Sequence, residues 1–282
     1  MKKFFFVVFA CLFFIFFAFP NKNPQRIVSL VPAITETIFA VGAENSLVAR
    51  TDFCTFPAQA MALPSVGGFD GKAISFEKII AFSPDLVCLA KGMHDHLINP
   101  LKSRGIQVFV SSAENLSDIL DEIKSIAELT GRLRQGELCL SQIESQIECA
   151  KTLANSTRKK RLRVYWEVSA KPYFTCGKKS FVTDLLKILG AENIFSDIDQ
   201  SYPQVSEESI VSRMPQMIVF PAHAKNNKTN FILERKNWKN IPAVAQGKVF
   251  AVDGDLFSRP GPRIGQMAMA LAEILVRSGT NP

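Results

Sequence analysis

The chain has only three histidines, and none of its six cysteines forms a C-x-x-C pair or stands with histidine at zinc-ligand spacing. That argues against a structural zinc site or a dithiol centre, and no metal site is expected. There is no G-x-S-x-G, no P-loop and no G-x-G-x-x-G after a strand, and nothing sets a nucleophile beside a base. No catalytic residues or resident cofactor are therefore expected, and the chain does not read as an enzyme. Charge of one sign is also weak. The net charge is +7, and Lys2 and Lys3 supply two of those units. The basic cluster RKKRLR at 158–163 stands alone, with no aromatic residues interleaved, which argues against nucleic-acid binding.

What is present suits a folded, exported protein. The 282 residues are 47% hydrophobic and 21% charged, enough for two lobes with separate cores. Residues 1–22 read as a signal peptide or N-terminal anchor: Lys2 and Lys3, the uncharged apolar run Phe4–Phe19, then Pro20 and a polar stretch. The cleavage site is poor, so retention as an anchor stays open, although about 24 Å of helix is short for a bilayer core of about 30 Å. Cys11 after Val8-Phe9-Ala10 makes a faint lipobox, but more hydrophobic sequence follows it. The expected location is periplasmic or extracytoplasmic. That destination permits disulfides among Cys54, Cys88, Cys139, Cys149 and Cys176 without naming a pair.

The stretch 131–161 organises the rest. Leu133, Leu140, Ile143, Ile147, Ala150 and Ala154 recur at mostly three- and four-residue steps, which predicts one long amphipathic helix. Some 25 helical residues would span roughly 38 Å, enough to connect an N-terminal lobe at 23–130 to a C-terminal lobe at 162–282.

The two flanking halves look like distant copies. SFEKIIAFSPDLVCL (75–89) and SEESIVSRMPQMIVF (206–220) lie in register, and GIQVFV (105–110) resembles GKVFAV (247–252). Short apolar strands alternate with helices in both, so the expected fold class is α/β: two β/α lobes with parallel sheets, joined by a single long backbone helix, with a ligand cleft between lobes. In such sheets ligands sit beyond the carboxyl ends of the strands.

RIVSLVPAITETIFAVG (26–42), VGGFDGKAISFEKIIAFSPDLV (66–87), PYFTCGKKSF (172–181), YPQVSEE (202–208) and RPGPRI (259–264) together resemble the substrate-binding proteins of ABC importers for cobalamin and ferric siderophores. FTCGKKSF with YPQVSEE is most similar to the cobalamin-binding branch. The resemblance implies capture of a corrinoid between the lobes and delivery to an importer permease, with ATP hydrolysed by partner subunits. It implies ligand contacts at Phe53, Phe69, Phe174 and Tyr202, all in predicted loops at strand ends, whose aromatic faces suit a broad, largely apolar disc, and at Asp255, with Arg259 and Arg263 nearby. Where cobalamin binders carry Tyr or Trp, two of these positions carry Phe, which leaves a ferric siderophore or haem as the alternative ligand. A cell-envelope enzyme or scaffold on the same lobes is the alternative of another class. Glu77 and Glu208 match the glutamates with which the family docks onto arginines of its permease, one per lobe. His94 and His96, in KGMHDH, stand at a strand end near the expected cleft and read as either solvated loop residues or ligands to a bound metal complex.

Overall fold

A computed structural model describes residues 23–68, 73–156, 161–222 and 229–279. The N-terminal segment 1–22, Phe69, the basic residues 158–160 and His223 lie outside the described residues.

The first lobe comprises β1 (Ile27–Ser29), α1 (Pro32–Ala40), β2 (Leu47–Arg50), α2 (Phe76–Ala81), β3 (Leu86–Ala90), α3 (Asp95–Lys102), β4 (Gln107–Ser111) and α4 (Leu116–Leu129). The connector is α5 (Leu133–Asn155). The second lobe comprises β5 (Arg163–Ala170), β6 (Tyr173–Thr175), α6 (Phe181–Ile188), β7 (Glu192–Asn193), α7 (Glu207–Ser212), β8 (Met217–Ala222), α8 (Asn230–Leu233), α9 (Pro242–Ala245), β9 (Val249–Asp253), α10 (Gly254–Phe257) and α11 (Ile264–Gly279). The fold is α/β with two lobes. The first sheet runs β2-β1-β3-β4, all parallel, and the second β6-β5-β8-β9, with β7 beside β5. Central strands such as Leu86-Val87-Cys88-Leu89 are buried throughout, because helices cover both faces of a parallel sheet.

The duplication persists down to backbone detail. Both α2 and α7 begin after a capping serine, Ser75 and Ser206, whose hydroxyls accept the Lys78 and Ser209 N–H. Each helix is followed by a non-glycine residue at positive φ, Ser83 at 45° and Met214 at 47°, directly before the matched prolines Pro84 and Pro215. Such a conformation is uncommon outside glycine, and the same turn geometry recurs in both halves.

Two expectations need correction. Leu133, placed by periodicity on the apolar face of the connector, is 56% exposed, while Ile143, Ala150 and Ala154 of that face are buried as expected and are joined by Gly136. The helix turns its small residues inward because its neighbours lie close: a Cβ on Gly136 would come within 2.4 Å of the Ala127 Cβ on α4, and one on Gly265 of α11 would meet the Gln146 side chain. Second, Phe174 is not in a loop. β6 pairs antiparallel with β5, and Phe174 bridges to Gln204.

The connector is not the only element shared between lobes. Ile126 and Ala127 of α4 pack in the first core with Ile27, Ile34 and Leu86, while Ile119 and Ile123 of the same helix pack in the second with Val164, Leu185 and Leu275. Backbone bonds add to this: Phe181 N–H donates to the Glu114 carbonyl at 2.8 Å, and Leu116 N–H to Asp184 Oδ2 at 3.0 Å.

Candidate functional site

The candidate ligand residues lie on or just after edge strands of the two sheets, Phe53 after β2, Phe174 on β6 and Asp255 after β9, with Tyr202 in the loop before α7. Phe53 follows β2 and is 53% exposed. Phe174 is half-buried on β6. Tyr202 is 44% exposed as a residue, but its hydroxyl turns inward near Ser180, Cys176 and Glu114, and burial pushes its pKa up. The backbone holds Phe174 and Tyr202 in one unit, because Thr175 N–H donates to the Pro203 carbonyl at 3.1 Å and Val205 N–H to the Tyr173 carbonyl at 3.0 Å.

Asp255 sits in the first turn of α10 with 60% of its side chain exposed, 3.4 Å from Arg259 Nη2. Arg259 is itself buried and also lies 3.7 Å from Glu36 Oε1. Arg263 closes on the same carboxylate in fork geometry: Nε donates to Oε2 at 2.7 Å and Nη2 to Oε1 at 2.6 Å. Its guanidinium lies over the Phe56 ring, 4.0 Å from the centroid. Glu36 belongs to α1 in the first lobe and both arginines to the second, so this buried triad ties the lobes together. Burial raises the Glu36 pKa, and the adjacent guanidinium groups offset this only in part. Glu36 is the missed residue: it is the one charged side chain between Ile27 and Val41, which is a signal of a buried partner.

His94 is buried, and its Nδ1 accepts the Ala90 N–H at 3.0 Å. His96 is exposed in the first turn of α3. Among the described residues no cluster of three His, Cys, Asp or Glu could hold a metal ion. The five described cysteines are free thiols, and burial pushes Cys176 up to about 12. A groove of about 650 Å³ lies behind the triad, lined by Phe39, Gln135, Leu138, Gln142 and Arg263 among others. Phe53, Phe174, Tyr202 and Asp255 do not line it.

Glu77 and Glu208 occupy the same position in α2 and α7 and are fully solvent-exposed. Each carboxyl is held below its ordinary range by a backbone N–H at its own helix start, then by the capping serine; Ser75 Oγ donates to Glu77 Oε2 at 3.1 Å. The neighbouring Glu207 differs, since it accepts the Trp238 indole N–H at 2.8 Å.

Residues 27–256 match the periplasmic binding protein family. The chain is 29% identical over 254 residues to the vitamin B12-binding protein of Vibrio parahaemolyticus, covering 89% of this chain and 90% of that one. It is 31% identical over 262 residues to the ABC transporter substrate-binding lipoprotein YvrC of Bacillus subtilis, covering 90% and 80%. Among solved structures, the periplasmic vitamin B12 binding protein BtuF of Vibrio cholerae superposes with a TM-score of 0.75 at 24% identity, over 92% of this chain and 99% of that one. The periplasmic heme-binding protein RhuT of Roseiflexus sp. RS-1 superposes with a TM-score of 0.78 at 23% identity, over 91% and 99%. Both likenesses are to the fold.

Proposed function

The chain belongs to the periplasmic binding protein family, and from that premise we propose that it captures a corrinoid between its lobes and delivers it to an ABC importer permease. The observation that carries delivery is the matched pair Glu77 and Glu208: one per lobe, fully exposed, ionised and steadied by equivalent serines. Two like charges on separate lobes make a two-point electrostatic address, which acts on encounter rate and register. The corrinoid reading is supported by relatives that carry a vitamin B12-binding name and by the aromatic faces of Phe53 and Tyr202, exposed in loops of different lobes. Phe174 and Phe69 complete the apolar contact. Asp255 accepts a hydrogen bond from the ligand's amide arms. Arg259, buried between Asp255 and Glu36, acts by orienting Asp255. ATP hydrolysis falls to the importer's partner subunits.

Haem or a ferric siderophore is the second reading, favoured by the equal structural likeness to a heme-binding protein and by phenylalanines that lack polar tips. Calorimetric titration of the protein without residues 1–22 separates the two. Cyanocobalamin is expected to bind one-to-one with Kd below about 1 μM, roughly −8 kcal/mol, with haem and a ferric hydroxamate silent. Heat from an iron complex alone moves the assignment to that branch.

A further inference from the structure

The two docking helices are not equivalent inside the protein. In the first lobe the position before Glu77 is Phe76, which packs under Arg104 at 5.2 Å. In the second lobe the same position is Glu207, and its carboxylate accepts the Trp238 indole N–H at 2.8 Å. Trp238 is fully buried. Arg235 lies over its ring at 4.3 Å, and Tyr173 stacks on it with ring centroids 6.0 Å apart. Arg235 in turn grips buried Glu167 of β5 through two bonds, at 2.6 and 2.8 Å. Glu167 stands opposite Thr175 on β6, one residue from Phe174. A continuous set of polar and aromatic contacts thus runs from the docking helix to the strand that carries a proposed ligand aromatic. The backbone duplicates the route, because the loop from Tyr202 to Val205 pairs with β6 and leads directly into the cap of α7.

We infer that Glu207 and Trp238 are positioning residues that couple α7 to the Phe174–Tyr202 wall, so that ligand and permease sense each other through the second lobe. This rests on the proposed docking role of Glu208. Coupling between sites is reciprocal, so ligand must alter α7 even without a permease present.

The test is hydrogen exchange of the α7 amides in the full chain, with and without cyanocobalamin, in the wild type, Glu207→Ala and Trp238→Phe. In the wild type, ligand is expected to slow α7 exchange about tenfold, a typical coupling. In either variant the slowing should fall below about twofold, while exchange in α2 responds to ligand as before. A purely structural role for Glu207 would raise exchange in both states and keep the ligand-induced difference. Equal slowing in all three proteins overturns the inference. If calorimetry shows that cyanocobalamin does not bind, the ligand assignment falls separately, and Phe174→Ala replaces the ligand as the perturbation. Its effect on α7 exchange must then appear in the wild-type background and vanish with Glu207→Ala; no effect in either background also overturns the coupling.

Discussion

Replacing Glu36 by glutamine removes the one carboxylate between two buried guanidinium groups. The side chains of Glu36, Arg259 and Arg263 are 1%, 9% and 12% exposed, so the arginines cannot simply return to water. Breaking a buried pair from one side costs about 3–5 kcal/mol, because it strands an uncompensated charge. The adjacent groove gives Arg263 partial access to solvent, so the lower end, about 3 kcal/mol, is expected. For a chain of this size that lowers Tm by roughly 6–12 °C. Replacing Glu36, Arg259 and Arg263 together by methionine should cost far less, within about 1 kcal/mol of the wild type, since the pairing returns little more than desolvation takes. The raised Glu36 pKa pulls the other way, because desolvation of the carboxylate outweighs its pairing, and this keeps the expected loss at the lower end. A carboxyl whose folded pKa lies above its unfolded value contributes stability that is fully present below the unfolded pKa and is lost as pH rises through the folded one. Wild-type stability should therefore decline across the window from about 4.3 up to the raised Glu36 pKa, and Glu36→Gln should lack that component. Urea unfolding is followed by circular dichroism, which sees both lobes, and by tryptophan fluorescence, which reports the second lobe through Trp166 and Trp238. A Glu36→Gln loss under about 1 kcal/mol, or a triple variant as damaged as the single one, would refute the reasoning.

Charge reversal of Glu77 and Glu208 together should leave ligand affinity intact and abolish transport; surviving transport in an uptake assay removes the docking role. Phe174→Ala and Tyr202→Ala should each weaken cyanocobalamin by about tenfold or more, from lost aromatic burial, as read by calorimetry. His94→Ala strands the Ala90 amide, which should cost about 1–3 kcal/mol in urea unfolding while leaving cyanocobalamin affinity by calorimetry unchanged. Asp197, held low by its bidentate bond to Arg213, supports the fold above the ordinary carboxylate pKa and loses that contribution as pH falls through its depressed value. Arg213→Gln should flatten the acid limb of a Tm-against-pH curve.

The repeat was legible because it is written twice. Ser75 and Ser206, Glu77 and Glu208, and Pro84 and Pro215 lie in register, and helix caps and proline turns are local devices that need no knowledge of the partner lobe. What escaped was long-range. Glu36 and Arg263 are far apart in the chain, and nothing local says that a carboxylate in α1 meets a guanidinium before α11. On α5 periodicity picks out Ile143, Ala150 and Ala154 but adds Leu133 and omits Gly136, because it weighs apolar side chains, whereas the close approach of Ala127 selects a residue with none. Phe174 was placed in a loop because a three-residue antiparallel strand leaves almost no alternation to detect.

These long-range ties bear on how cargo leaves. α5 runs between the lobes, α4 contributes to both cores, and the Glu36 triad clamps α1 to the second lobe. Opening by a wide hinge would break all three at once, whereas a hinge needs a few residues free to absorb the backbone change. Ligand binding should therefore change the radius of gyration only slightly. A compact protein of this size has a radius near 19 Å, and small-angle scattering of free and loaded protein should agree to within about 0.5 Å, on the order of a few per cent. A contraction of 2 Å or more, roughly a tenth of that radius, would mean that the lobes swing freely and that these contacts do not restrain them. If they stay pinned, release has to come from deforming the cleft wall itself. The second lobe's wall is joined by side chains to α7, the helix of the proposed docking residue Glu208, through Glu207, Trp238 and Arg235. Under the docking proposed for Glu208, a rigid pair of lobes and an asymmetric link to α7 are two parts of one device: the first would keep cargo from escaping by opening, and the second would give the importer a way to loosen it.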